Sequence, residues 1–359
     1  MLSHGTSLRG LAGQAARLPL AAGRTILVGA MDRPVARTRD PRLLMQAGTA
    51  GDRRAIGRLL SLIEQGGEPG RAVGRLAFPI SGAPDQVIGI TGAPGSGKST
   101  LTDRMIAAAR AGGTRVGVLA IDPSSPYSGG AILGDRIRMQ GHALDEGVFI
   151  RSMATRGHLG GLALAAPEAI RLLVATGMAL VLVETVGVGQ VEVEVAGAAD
   201  TTLVVVNPGW GDSVQAAKAG LLEVADLFVI NKADRPGAEE ARRDLEAMLD
   251  MNPSMGEWRP PVVMTTAATG EGVDELWTEV RRHRSYLDHS GEMARRRNRR
   301  LIEELSRILV SRIEDDVKHL REGALWSDVT SELLERRVDP YSAVDRLVAA
   351  SPTRPLPGS

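Results

Sequence analysis

The chain has 359 residues, enough for one large or two modest domains, and 43% of them are hydrophobic, ample for a buried core. Its 43 basic and 43 acidic residues cancel and aromatics make up only 3%, so neither a general electrostatic pull toward nucleic acid or anionic membrane nor a base-stacking surface is expected. The absence of cysteine excludes disulfides, thiolate zinc sites, iron–sulfur clusters and cysteine nucleophiles, and it suits a reducing compartment.

The first 31 residues carry Arg9, Arg17 and Arg24 but no Asp or Glu. Such a start fits a mitochondrial transit peptide, a disordered bacterial tail, or a start codon set upstream of Met31 or Met45. Because Ala, Gly and Arg abound throughout the chain, residues 1–40 read as a disordered tail. The protein is then expected in the cytoplasm, or in the mitochondrial matrix if the leader is a transit peptide. From Pro41 to Phe78, Leu43, Leu44, Ile56, Leu59, Leu60, Leu62 and Ile63 recur at three- and four-residue spacing until Gly66-Gly67-Glu68-Pro69-Gly70 breaks the pattern. Two short helices are expected here, forming an N-terminal extension over residues 41–84.

Residues 85–283 alternate strand-like and helical runs. Strands are expected at Val87–Thr91, Val116–Ile121, Val148–Arg151, Leu180–Glu184, Thr202–Val206, Leu227–Asn231 and Val262–Thr266. Most are unbroken apolar runs, as in a parallel sheet covered on both faces. Helices near Leu101–Ala111, Pro167–Thr176, Val214–Glu223, Glu239–Met248 and Val273–Arg282 supply the crossovers. The fold class is therefore α/β, a doubly wound, mostly parallel sheet of the P-loop NTPase type with helical extensions at both ends. Ligands in such sheets sit beyond the carboxyl ends of the strands. The most apolar stretch, Leu172 to Val183, is interrupted by Thr176 and Gly177 and falls short of the roughly 20 residues a membrane span needs.

Gly92-Ala93-Pro94-Gly95-Ser96-Gly97-Lys98-Ser99-Thr100 follows the first strand and opens a helix. It fits G-x-x-x-x-G-K-[ST] in the context a phosphate-binding loop requires. The glycines let backbone N–H groups turn onto phosphate oxygens, and the helix start adds the positive end of its dipole. Lys98 is expected at the β- and γ-phosphates and Ser99 on Mg²⁺. Three carboxylates are placed for the metal and its shell: Asp122 and Glu184 at strand ends, and Asp135 in Gly134-Asp135-Arg136. A helix N-cap is an equal reading for Asp135.

Glu184-Thr185-Val186-Gly187 stands where small GTPases carry D-x-x-G, and Gly187 is expected to bring its N–H to the γ-phosphate. The position after that glycine, the water-orienting glutamine in Ras, is Val188 here, with Gln190 two positions on. Intrinsic hydrolysis is therefore expected to be slow until a partner or a rearranged loop completes the site. The loop from Asn207-Pro208-Gly209-Trp210 to Lys218 offers Asp212, Gln215 and Lys218 to a nucleotide or partner, although composition alone favours a helix capped by Asp212 with Gln215 and Lys218 facing solvent.

Asn231-Lys232-Ala233-Asp234 is N-K-x-D at a strand end. The Asp carboxylate suits the guanine N1–H and exocyclic amine, and adenine would leave it unpaired. Asn231 is expected to brace the loop and the Lys232 stem to cover the base. After the next strand, the backbone N–H groups around Thr266 and Ala267 are expected at the guanine oxygen. Beyond residue 284 the chain is helical: Met293 to Leu320 carries Leu301, Ile302, Leu305, Ile308, Leu309, Ile313, Val317 and Leu320 on one stripe, followed by helices at Ser327–Arg337 and Tyr341–Ala349. The stripe packs on the core or serves as a dimer arm. The basic run Arg295–Arg297 with Arg299 and Arg300 reads as a solvated face.

Gly92–Thr100, Asp122-Pro123-Ser124-Ser125, residues 129–139, Gly157-His158-Leu159-Gly160-Gly161, residues 184–190 and Asn231–Asp234 together resemble the MeaB/ArgK family, over most of residues 41–350. The resemblance implies a homodimeric GTPase metallochaperone that binds an adenosylcobalamin-dependent acyl-CoA mutase, gates cofactor loading, protects the mutase, and is stimulated by it. It implies Lys98 and Ser99 on phosphate and Mg²⁺; Asp122, Asp135 and Glu184 at the metal; Asn231, Lys232 and Asp234 on guanine of GTP or GDP; and Gln215 and Lys218 in a partner-responsive switch. It also implies a C-terminal dimerisation arm over residues 284–359. Asn207-Pro208-Gly209-Trp210 departs from the wording of that switch, which leaves the partner open among acyl-CoA mutases of shared chemistry. The chain has no clear D-x-H-x-x-G cobalamin site, so cobalamin is assigned to the mutase. His158, with no Cys and no H-x-x-x-H pair beside it, reads as loop packing or partner contact, unlike a nickel-inserting relative. The competing functions are a kinase of arginine and ornithine transport, for which no second-substrate element is visible, and a binding switch with negligible turnover.

Overall fold

The computed structural model describes residues 38–81, 86–122, 140–142, 144–154, 161–185, 197–209, 223–251, 257–321 and 323–349. Three helices, not two, precede the sheet: α1 (Pro41–Thr49), α2 (Arg53–Gln65) and α3 (Gly67–Ala77). Asp40 and Asp52 cap the first two, their carboxylates accepting from Arg42 N–H and from the Arg54 and Ala55 N–H groups. The expected break at Gly66–Gly70 is only a corner. Gly66 and Gly67 take φ of 68° and 65°, which turns the chain, and Pro69 falls in the first turn of α3, where its missing N–H removes no helical bond. A Cβ on Gly70 would stand 2.8 Å from Leu62 O, so a glycine lets α3 lie close on α2.

Seven strands follow: β1 (Gln86–Gly92), β2 (Val116–Asp122), β3 (Val148–Ala154), β4 (Leu180–Thr185), β5 (Thr201–Val206), β6 (Leu227–Asn231) and β7 (Val262–Thr265). All pairs are parallel and the spatial order is β3-β2-β4-β1-β5-β6-β7. Each strand feeds two cores by simple alternation. Val181 and Val183 of β4 pack with α1, α2, α3 and α5 (Gly161–Ala175), while Leu180 and Leu182 face α4 (Lys98–Ala111) and α7 (Val273–His289). On β6, Phe228 and Ile230 pack on α6 (Ala238–Asp250), while Leu227 and Val229 join the α4–α7 layer. Burial on both faces is the physical reason these strands read as continuous apolar runs. The chain fills the β1–β4 half first and crosses to β5 afterwards, so the loops after β1, β4, β6 and β7 lie along one carboxyl edge. The helix expected over Val214–Glu223 lies outside the described residues except for its last residue.

The domain boundary expected at 283/284 falls inside α7, whose His283 and Leu287 are fully buried. Then come α8 (Glu292–Arg321), α9 (Ala324–Leu334) and α10 (Pro340–Ala349), the last two packing on each other through Val329, Ala343 and Leu347. The basic run is not a solvated face throughout. Arg297 Nη2 lies 2.6 Å and Arg300 Nη1 3.0 Å from the buried Asp200 carboxylate, and Arg296 Nη1 lies 3.0 Å from Asp226. Burial alone would push both carboxyls up; for Asp200 the Arg297 hydrogen bond and the Arg297 and Arg300 charges overcome this, for Asp226 the His283 hydrogen bond, the Arg296 charge and the Thr202 N–H do, and both end below the usual range. Arg295 and Arg299 do remain outward, pairing with Glu292. Farther along α8 the apolar stripe does not pack on the core: Ile302, Leu305, Leu309 and Ile313 are more than half exposed. Among the described residues no helix is long and apolar enough to cross a membrane.

Candidate nucleotide site

The loop between β1 and α4 is shaped by backbone that favours glycine. Gly92, Gly95 and Gly97 take φ of 134°, 73° and 94°. A Cβ on Gly92 would meet Val205 O at 2.0 Å, and one on Gly97 would meet Asn231 Nδ2 at 2.2 Å, so the loop is pressed between β5 and the end of β6. Lys98, the first residue of α4, is buried and folds back on this loop, its Nζ donating to Gly92 O at 2.7 Å and Ala93 O at 3.0 Å. Thr100 is half-buried in the same turn of α4. Ser96 Oγ is buried and finds no hydrogen-bond partner among the described residues. A buried hydroxyl of that kind is a polar group that a bound ligand can satisfy.

Glu184, near the end of β4, is 1% exposed and lies against the same helix. Ser99 Oγ donates to its Oε1 at 2.5 Å and Thr102 Oγ1 to its Oε2 at 2.9 Å. Parallel pairing of β2 with β4 sets Ala120 opposite Glu184 and Ile121 opposite Thr185, which brings the backbone of Asp122 to the same edge. The side chain of Asp122 lies outside the described residues, as do Asp135, Gly187, Val188, Gln190, His158, Gln215 and Lys218.

Asn231 ends β6 and joins three segments. Its Nδ2 donates to Ser96 O of the phosphate loop at 2.8 Å, and its Oδ1 accepts from Thr265 Oγ1 at 3.2 Å and Ala267 N–H at 3.0 Å. The bracing role expected for Asn231 is therefore present, and it reaches the phosphate loop as well as its own. Lys232 adopts φ of 60°, a left-handed conformation rare for a residue with a Cβ, and its Nζ reaches Gly95 O at 2.6 Å. Asp234 stands exposed beyond it. The N–H groups anticipated at the guanine oxygen are engaged within the protein: Thr266 N–H donates to Glu271 O at 3.0 Å and Ala267 N–H to Asn231. Thr266 and Ala267 thus hold the loop's shape instead of presenting those two donors.

Two residues escaped the sequence reading. Thr102 touches Glu184 across 82 positions, and Arg104 ties α4 to the loop after β7, donating to Ala267 O at 3.0 Å and Ala268 O at 2.8 Å. Neither belongs to a linear motif. The only local sign was Thr102 lying three residues after Ser99, on the same face of a helix.

A glycine-wrapped loop opening a buried helix, a carboxylate held to its serine, and an N-K-x-D turn clamped onto that loop, on a parallel sheet, define a P-loop GTPase. The chain belongs to the MeaB family: the family model described as methylmalonyl-CoA mutase-associated GTPase MeaB matches residues 56–322. A relative from Pyrococcus abyssi is 47% identical over 308 residues, covering 85% of this chain and 95% of its own. GTPase ArgK of Escherichia coli is 41% identical over 220 residues, 60% of this chain and 66% of that one. The mouse protein named methylmalonic aciduria type A homolog, mitochondrial, is 39% identical over 214 residues, 58% of this chain and 52% of that one. Among solved structures, one titled LAO/AO transport system kinase matches at 26% identity with a TM-score of 0.64, covering 86% of this chain and 96% of its own.

Proposed function

We propose that this GTPase serves as a chaperone of a B12-dependent acyl-CoA mutase, methylmalonyl-CoA mutase first among them, gating adenosylcobalamin loading and protecting the mutase from inactivation. The observation that carries the reading is the match to a family named for that mutase, running from α2 through the phosphate loop, Glu184 and Asn231 to the end of α8. In this reading Lys98 and the N–H groups of residues 92–100 bind the phosphates, and the buried Ser96 hydroxyl acquires a partner there. Asn231 and Lys232 set the base loop against the phosphate loop, and Asp234 reads guanine. The Ser99 hydroxyl and the Glu184 carboxylate are hard oxygen donors side by side, which fits Mg²⁺. When bound, the metal neutralises charge building on the phosphates. Asp122 and Asp135 would help hold the metal, Gly187 would contact the γ-phosphate, and Gln215 and Lys218 would respond to the partner.

Turnover is slow alone, since Val188 offers no water-orienting group, and the mutase accelerates it. Phosphate release from GTP, with and without methylmalonyl-CoA mutase, tests this: a rise of at least about tenfold with mutase is expected, against a far larger span for fully stimulated GTPases. Rapid release by the chain alone, or no response to any B12-dependent acyl-CoA mutase, contradicts it. The structural relative titled as a transport-system kinase keeps one alternative in the same assay: label moving from GTP or ATP to arginine or ornithine would favour a kinase.

A further inference from the structure

Glu184 stands where small GTPases carry aspartate, so its carboxylate sits one methylene farther from the strand and has one more torsion to fix. Its two oxygens are claimed separately. Ser99 takes Oε1 at 2.5 Å and Thr102 takes Oε2 at 2.9 Å. Thr102 is 0% exposed and lies one turn of α4 beyond Ser99, so both hydroxyls point at the same carboxylate from one helix face. Thr102 Oγ1 also lies 3.0 Å from Lys98 O, the ordinary back-bond of a helical threonine. A hydroxyl has one proton, and the shorter of its two contacts is the one to Glu184.

We infer that Thr102 is the positioning residue for Glu184: it fixes the plane of the longer carboxylate from the far oxygen, so that its orientation does not depend on Ser99, the hydroxyl destined for the metal. This rests on the reading of Ser99 and Glu184 as the Mg²⁺ side of the site. Loss of an outer partner of a metal-facing carboxylate weakens metal retention about tenfold or more.

The test is an Mg²⁺ titration of a fluorescent GDP analogue's retention, on the full chain. Thr102→Val keeps the shape and deletes the hydroxyl; it should raise the half-saturating Mg²⁺ about tenfold and leave GDP affinity in EDTA unchanged. Thr102→Ser keeps the hydroxyl and should stay close to wild type, although it loses a buried methyl. A helix-packing role predicts the reverse ranking, with Thr102→Ser the more perturbed. A Thr102→Val titration that overlays wild type overturns the inference. Should that variant not fold, Glu184→Asp reads the contact from the other side: the shorter carboxylate cannot span both hydroxyls, and an unchanged Mg²⁺ requirement counts against the inference. Retention by wild type that ignores Mg²⁺ overturns the metal reading itself, and the inference with it.

Discussion

Glu168 shows how far one residue's surroundings can move its chemistry. It lies on α5 against Gly74 of α3, whose Cβ, if present, would stand 3.2 Å from Glu168 Oε1. Its carboxyl is pushed up to about 7: burial raises it most, Arg171 and Arg71 oppose the rise, and Glu304 adds to it. Arg171 is of limited help because both its Nη atoms are committed to Glu304, at 2.7 and 2.5 Å. A carboxyl with a raised folded-state pKa holds its proton longer folded than unfolded. Its effect on stability is therefore nil well below 4.5 and grows unfavourable as pH climbs from 4.5 to about 7. Glu168→Gln should match wild type in urea unfolding at pH 4.5 and exceed it at pH 8 by up to about 3 kcal/mol. Equal gains at both pH values would place the effect in packing instead.

At the level of elements, α8 is fastened to the sheet by charge. Asp200 receives Val87 N–H at 3.1 Å together with Arg297 and Arg300, and Asp226 receives Thr202 N–H at 2.9 Å together with Arg296. These carboxylates sit at the amino ends of β5 and β6, opposite the nucleotide edge. Removing one partner of a buried pair strands the other, so Asp200→Asn should cost about 3 kcal/mol in thermal unfolding. Arg299→Ala, which breaks an exposed 3.6 Å pair, should stay within about 0.5 kcal/mol. Near-equal losses would show that the clamp contributes little. The same elements show what was legible in sequence. The strands and the nucleotide loops were, because burial on two faces and backbone demanding glycine leave local marks. The corner at Gly66 was misread because Pro69 looks like a breaker until its place in the first turn is known. The inward arginines were misread because Asp200 lies 97 positions from Arg297, and Asp226 70 from Arg296. Thr102 at Glu184 was missed for the same reason.

On the scale of the whole molecule, the stripe on α8 stands exposed among the described residues. Leu305 is 67% and Leu309 58% exposed on a helix whose amino-terminal half is tied to the sheet through Arg296, Arg297 and Arg300. Contiguous apolar surface of this kind marks an interaction site, and the resemblance to the family implies a second copy of the chain as its occupant. Leu305→Lys combined with Leu309→Lys should yield a monomer by sedimentation while leaving GDP binding intact; a wild type that sediments as a monomer at micromolar concentration would remove the dimer from the account. The described part of the nucleotide edge, by contrast, is tied together within one chain: Asn231 links the phosphate loop to the base loop, and Arg104 closes the ring through α4. The most direct test of that arrangement is competitive titration of GTP, ATP and XTP on wild type and Asp234→Asn in Mg²⁺. Wild type should favour GTP over ATP by at least about a hundredfold, and the variant should lose GTP and gain XTP, because its amide offers a donor to the xanthine C2 carbonyl. A preference for ATP, or a variant that still selects GTP, would contradict it.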